Sequence, residues 1–568
     1  MMDLLAKAKD KNFFRRIRED ESFSDLRTLL LSKWEECKGG NEIGELRYSD
    51  YKLFFTTGDR DLYQKPYFAR RRTLTTSALL SLIYPENDEY FERLQDLIYA
   101  ICDEFTWCLP AHIWELNVNN ACRIDLFSAE TALYLAEIYN IFYDRIEPFV
   151  RDRIPLELDR RIFTPFKLRC PEFKWELGDA NWTAVCMGSV ACAYMLMKPD
   201  EAWEKLERFN ASMDTFLDGF SSDGACLEGG SYWNYGMSFF TLYADMVREF
   251  TDGKVDYFKD ERAKRIYKFF ENYFLYEDKT IPFSDSPDKI SFSLGIMCRV
   301  SREYGSEICV PSKKYRNYYL TRFSEMLREL IWFDESVPCQ EKQSEREFFA
   351  ASAQWFIKRT TKFAFAAKGG HNGEPHNHND IGSFVLLKDG EEILSDVGIG
   401  KYTRQYFSGE RYTIFEPSSR SHCVPIIDGE HQKFGREYSA RDVNFREGVF
   451  SLDIADAYGL CESEKILRSF SFDCDTVTLK DVFRLKSERQ IVERLVTKKE
   501  PKLDTPGCIT LGNAVLSYDF STWRVSVDTE LMTKEAKGKN GELIRERCYL
   551  IDFTPVKDGV DNFSVTVK

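Results

Sequence analysis

The apolar residues change period between about residues 334 and 348, and that change constrains the fold more than any other feature of the chain. From about residue 20 to 335 the spacing is helical. Phe91, Leu94, Ile98 and Ile101 recur on one face, and Tyr319, Phe323, Met326, Leu327 and Leu330 repeat the pattern near the end of the stretch. After the polar, proline-containing run ESVPCQEKQSERE the pattern becomes that of strands. FVLLKDGEEIL sets Asp389-Gly390 between two apolar runs, a hairpin signal, and TVTLKDVFRL, WRVSVD and FSVTVK alternate or are β-branched. The spacing predicts an α+β chain. Residues 1–335 form stacked helical hairpins, as a bundle or a closed toroid; 336–348 form a linker; 349–568 form an antiparallel β-sandwich.

With 568 residues the chain exceeds the size of a single core, as that division requires. Its aromatic content of 15% is high, enough both to pack helices and to line clefts that stack on sugar rings. A net charge of −15 argues against nucleic acid as a partner. Arg70, Arg71 and Arg72 are a local basic cluster, with a solvated helix start expected for at least one of them. No run of about 18 apolar residues is present, so no membrane span is expected. The start MMDLLAKAKDKNFFRRIRED does not read as a secretion leader, and the 16 cysteines include no C-x-x-C pair. Both suggest reduced thiols in a cytoplasmic protein. Self-association is left open.

Histidine is scarce and concentrated: of six in the chain, His371, His376, His378, His422 and His431 fall between residues 369 and 431. His376 and His378 are two apart, so they share a face on a strand or divide two tasks on a loop. His378, Asp396 in ILSDVGIG and His422 in SSRSHCVP could together hold a divalent metal, with zinc first and manganese as the alternative. His376 would then be free for acid–base chemistry. A solvated polar loop after Gly369-Gly370 is an equal reading of the same residues.

Three stretches in the first half depart from plain helix. TWCLPAH places Trp107 and His112 on either side of a break at Pro110, although a lone histidine is more often structural. Asn181-Trp182 in GDANWTAVC has the look of an N-cap. EGGSYWNYG, from Glu228 to Gly236, offers Tyr232 and Tyr235 on a loop for ligand contact or proton transfer, against an equal aromatic-core reading.

The order WCLPAH, IDLFSAETA, NW-x-AVC, EG-x-x-YW-x-YG, HNHND-x-GSF, D-x-G and SSRSHCVP resembles the heparinase II/III-like family of polysaccharide lyases, over about residues 45 to 435. The resemblance implies an N-terminal α/α toroid, a C-terminal antiparallel β-sandwich and β-elimination on an acidic, uronate-containing glycan. Glycosaminoglycans (hyaluronan, chondroitin or heparan type) are preferred, with alginate as the alternative. It assigns Asn181 to neutralising the substrate carboxylate, Tyr232 to proton transfer and His376 to the opposite base or charge stabiliser, with His378, Asp396 and His422 as metal ligands. Trp107, His112, Trp182, Glu228, Tyr235, Arg411, Tyr412 and Gln432 are the substrate-binding candidates. Trp182 stands where some members carry a histidine, so that neutralising group is either missing here or replaced by His112 or an arginine. The start of the chain, unlike that of many members, suggests processing of imported oligosaccharides. Two other readings remain: a hydrolase of unsaturated uronyl sugars using Glu228, Asp125 and Asp223, and a non-catalytic glycan-binding protein.

Overall fold

The computed structural model describes residues 3–38, 44–168, 173–340, 344–537 and 542–568, so residues 341–343 of the expected linker lie outside the described residues. Helices dominate as far as Phe323–Trp332 and strands follow. The chain divides into two compact units. One holds Met1–Gly219, Asn234–Lys268 and Ser291–Cys339; the other holds Phe220–Trp233, Phe269–Ile290 and Gln340–Lys568.

In the helical unit the predicted stripes become buried faces. Phe91, Leu94, Ile98 and Ile101 are all buried on the helix Asp88–Cys102, whose first turn is closed by the Asn87 side chain accepting from the Glu89 N–H. Tyr319 is the exception, because the helix begins only at Phe323; its hydroxyl instead donates to the Ser291 carbonyl. The helix Asn181–Met197 is buried nearly all round, with Trp182 half exposed near its start. Gly188 permits this packing, since a Cβ there would meet the Phe239 carbonyl at 3.1 Å. Arg70 and Arg71 are buried in the helix Asp61–Ile83, both bonded to Glu104, and Arg72 is exposed.

A buried carboxyl in this unit makes stability depend on pH. Burial pushes Glu325 up to about 7, against the pull of Arg322 and with the help of Glu130. Its folded pKa lies above its unfolded value, so between about pH 4.5 and 7 the native state holds more protons and stability falls as pH rises. Glu325→Gln is therefore expected to flatten the fall in Tm between pH 5 and 7.5, measured by thermal melts of both proteins. An unchanged slope would count against this carboxyl.

The strand unit is antiparallel throughout. Arg346–Ala350, Trp355–Arg359, Phe363–Lys368, Phe384–Lys388 and Glu391–Leu394 form a five-stranded sheet, which meets an eight-stranded one. Phe356 and Phe365 of the first pack on Phe450 and Phe470 of the second, with ring centroids 5.2 and 5.0 Å apart, inside one apolar core. The hairpin at Asp389-Gly390 forms as predicted, with φ of 50° and 77°, the left-handed pair a two-residue turn demands. TVTLKDVFRL, WRVSVD and FSVTVK lie on Val477–Arg484, Trp523–Lys537 and Asn562–Val567.

Buried Arg468 connects this core to the histidine stretch. Paired with Asp481 at 2.5 Å, it donates to the carbonyls of Gly382 at 2.9 Å and Cys423 at 2.5 Å. Those carbonyls follow the HNHND run and His422, so one side chain of the sheet holds both loops.

Candidate active site

Two segments from the first half of the chain are built into the strand unit. Asp223 Oδ2 accepts from the N–H groups of Ser352 (2.6 Å) and Ala353 (3.1 Å), and Arg359 donates to the Phe274 carbonyl at 2.5 Å. The glycines of EGGSYW permit close approach: a Cβ on Gly229, which has φ 104°, would lie 2.7 Å from Ser286 Cβ. Tyr232 follows in the first turn of the helix Gly230–Phe250.

Asp285 organises the site. Its fully buried carboxylate accepts five hydrogen bonds, with Oδ2 facing His376 Nδ1 at 2.7 Å and the Tyr402 hydroxyl at 3.0 Å. Oδ1 takes the Tyr406 hydroxyl at 2.7 Å, Arg411 Nη2 at 2.8 Å and His378 Nε2 at 3.1 Å. Burial opposes its ionisation, but the hydrogen bonds from His376 and His378 and the charge of Arg411 hold it well below the usual carboxylate range. An ionised Asp285 accepts the Nδ1–H of His376 and leaves Nε2 with its lone pair.

The Tyr232 ring stacks on His376, with centroids 4.3 Å apart and planes at 29°, and its hydroxyl lies 2.5 Å from that of Tyr402. Burial first, then the charge of Asp285, keeps this phenol well above its ordinary pKa and so protonated. His376 has φ 53°, a left-handed conformation costly for a non-glycine residue. Arg411 sustains it by donating to the carbonyls of His376 (3.1 Å) and Asn377 (3.0 Å).

His378, Asp396 and His422 converge beside this group, each offering one buried ligand atom, all within 4.8 Å of one another. The second nitrogen of each histidine is engaged: His378 Nε2 on Asp285, and His422 Nε2 on the Glu416 carbonyl at 3.1 Å. Both Nδ1 atoms and Asp396 Oδ2 are buried and make no well-aligned hydrogen bond, although His422 Nδ1 lies 3.2 Å from Asp396 Oδ2. Partners on the outer nitrogens and lone pairs turned inward are the arrangement of metal-ligating histidines. A divalent cation fits this donor set.

The helical unit holds a second cluster. Asn181 is the first helical residue and Ala180 the cap, so the N-cap reading is corrected: the side chain does not cap, and its buried Oδ1 has no partner. Trp182 meets His112 edge-on with centroids 4.8 Å apart, and His112 Nδ1 lies 2.7 Å from Asp125 Oδ2. Tyr235 donates to Glu130, under the guanidinium of Arg322 at 3.9 Å. Glu228 is buried before Tyr232 in the strand unit, where its charge adds to raising that phenol.

Three of the substrate-binding candidates are buried and bonded within the protein. Trp107 is 1% exposed, its indole N–H donating to the Ile101 carbonyl; the helix has already ended at Cys102, and the chain beyond it folds this ring into the core. Gln432 is buried, holding both the N–H and the carbonyl of Ile381. Arg411 is buried against Asp285 and the loop carbonyls, where it holds the shape of the site. Tyr412 is half-buried and stacks on exposed Phe434, with centroids 4.8 Å apart. His431 is lowered to about 4, by burial and then by Arg494 and Arg420, and lies outside the cluster.

Sequence reasoning missed Asp285, Tyr402 and Tyr406. The available signals were FSDSPDK, a Ser-Asp-Ser-Pro turn interrupting the helical spacing, and KYTRQYF, which has no strand alternation.

A helical part followed by antiparallel sheets, with a buried His/Tyr/Asp cluster, defines the class of protein. Residues 342–550 match the model of the family described as heparinase II/III-like, C-terminal, the same family that the motifs resemble. Solved structures similar to the chain include a heparinase III (13% identity, 93% of this chain and 80% of that one, TM-score 0.57). The heparan sulfate lyase of Pedobacter heparinus is also similar (11%, 95% and 87%, 0.56). So is the Streptomyces coelicolor A3 chondroitin AC lyase, solved with chondroitin sulphate (9%, 96% and 82%, 0.54). At these identities the likeness concerns the fold, and that fold is the expected α/α toroid followed by a β-sandwich. A comparison with curated sequences gives no match. Among the described residues no helix is long and apolar enough to cross a membrane.

Proposed function

We propose that this chain is a polysaccharide lyase that cleaves uronate-containing glycans by β-elimination, with glycosaminoglycans preferred over alginate. The observation that carries the reading is the pairing of Tyr232 with His376, both tied to buried Asp285, the tyrosine through Tyr402.

Elimination needs a base for the proton at C5, an acid for the departing O4, and relief of the charge that builds on the uronate. His376, with Nδ1–H on Asp285, has Nε2 free to take the C5 proton. Tyr232, held protonated, gives its proton to O4 as the C4–O bond breaks, leaving a 4,5-unsaturated uronate without addition of water. The field that keeps Tyr232 protonated works against a phenolate base, which favours His376 in that role. Asn181, uncharged and not used as a cap, supplies an amide for the substrate carboxylate. Hydrolysis is less well served: Asp125 is engaged by His112, Leu109 and Ser128, and Asp223 by two backbone N–H groups.

At His378, Asp396 and His422 we propose a divalent ion, zinc with manganese as the alternative, whose fixed charge would pin the loop two residues from His376. Chelation is expected to lower the Tm of the wild-type protein by roughly 5 °C and that of His422→Ala by far less. Elemental analysis should find metal in the first protein and none in the second; equal content would remove the site.

The function is tested by ultraviolet absorbance of the purified protein with hyaluronan, chondroitin sulfates, heparan sulfate, heparin and alginate. Growth of the conjugated uronate chromophore with one of them is expected. Flat traces with all of them, on folded metal-replete protein, would overturn the lyase reading.

A further inference from the structure

Arg71, Arg72 and Arg322 line a cavity of about 350 Å3 in the helical unit. Two of the three are matched. Arg71 binds both oxygens of Glu104, at 2.5 and 2.6 Å, and lies over the Tyr67 ring at 3.5 Å. Arg322 sits between Glu130 at 3.6 Å and Glu325 at 3.4 Å. Arg72 is exposed, and among the described residues no carboxylate pairs with it. In a chain of net charge −15, an unmatched guanidinium lining a cavity stands out from the background.

The walls suit a sugar. Phe68 and Phe127 meet edge-on with centroids 5.0 Å apart, both half-buried. Phe127 also stacks on His112, 5.5 Å between centroids and planes at 9°, and His112 abuts Trp182 beside Asn181. Glu130, another wall of the cavity, accepts from Tyr235. The cavity therefore shares two walls with the cluster that contains Asn181. Aromatic faces take the C–H faces of a pyranose, and a guanidinium fork takes an oxyanion in two parallel hydrogen bonds.

We infer that Arg72 selects glycans carrying an oxyanion, carboxylate or sulfate, on a sugar next to the uronate whose carboxylate Asn181 takes. This rests on the lyase reading. On the glycan that the wild-type chain turns over, Arg72→Gln is expected to raise KM by about ten- to a hundred-fold, with kcat changed by less than about three-fold. Arg72→Lys keeps the charge and loses the fork, so it should fall between. Arg15→Gln, a surface change far along the chain from the cavity residues, should leave KM alone and controls for net charge. Oligosaccharides with the sulfates removed, or with the flanking carboxyl reduced to an alcohol, identify the oxyanion: the group whose loss erases the difference between wild type and Arg72→Gln is the ligand. Equal KM for the two proteins on every substrate would overturn the inference and leave the lyase reading intact. If no glycan is turned over, calorimetry with the same oligosaccharides reads the site directly. A Kd at least ten-fold weaker in Arg72→Gln would support it, and equal affinity or no binding by either protein would overturn it.

Discussion

Asp285→Asn is expected to lower kcat by about 10³- to 10⁴-fold. The wild-type carboxylate accepts at both oxygens, from His376 and Tyr402 on one and from Tyr406, Arg411 and His378 on the other. An amide has only one accepting end. With its oxygen toward the three donors around Arg411, its NH2 group faces His376 Nδ1, which must then accept. The proton moves to Nε2, and the lone pair proposed to take the C5 proton is lost. Substrate affinity should change much less, since the substitution adds no bulk and Asp285 is buried. Asp285→Ala should in addition destabilise the protein by about 3–5 kcal/mol, because Arg411 would be left buried without its counter-charge. Initial rates of absorbance growth, with a denaturant melt for each variant, separate the two effects. A folded Asp285→Asn protein retaining more than about a tenth of the wild-type rate would sink the His376–Asp285 assignment.

Tyr232→Phe is expected to abolish turnover, by about 10³-fold or more, while leaving glycan affinity within about three-fold. The ring that stacks on His376 at 4.3 Å is kept, and only the hydroxyl facing Tyr402 at 2.5 Å is removed. The variant thus loses the proton for O4 without losing the surface. Kinetics give kcat, and calorimetry on a resistant or slowly cleaved oligosaccharide gives affinity. A protein that only binds glycans would show unchanged affinity and no activity in either form. A hydrolase would consume unsaturated disaccharides, seen as loss of the same chromophore, and keep doing so without this hydroxyl. Either result would remove Tyr232 from the chemistry.

The two expected results bear unequally on what could be read beforehand. Tyr232 was visible because glycines flank it: Gly229 has to let the chain pass Ser286, and a short motif keeps such a local requirement legible. His378, Asp396 and His422 were visible because their residue types are rare and suited to metals. Asp285 was not, because an aspartate in a Ser-Asp-Ser-Pro turn looks like turn chemistry. Its meaning comes from partners 91 to 126 residues away. The burial of Trp107, Arg411 and Gln432 was hidden for the same reason. Aromatic and polar residues near a motif look available, and only packing shows that their polar atoms are already bonded to the backbone or to Asp285.

By itself the sequence determined the order of helices and strands, the hairpin at Asp389-Gly390 and the rare residue types of the candidate site. All are local properties, carried by apolar period, turn chemistry and composition. The tertiary structure alone decided that residues 220–233 and 269–290 join the strand unit, and so that Asp285 meets His376, Tyr402 and Arg411. It also decided that Arg71 is neutralised by Glu104 while its neighbour Arg72 is not. Such pairings depend on which distant groups share a buried space, and no periodicity along the chain encodes them.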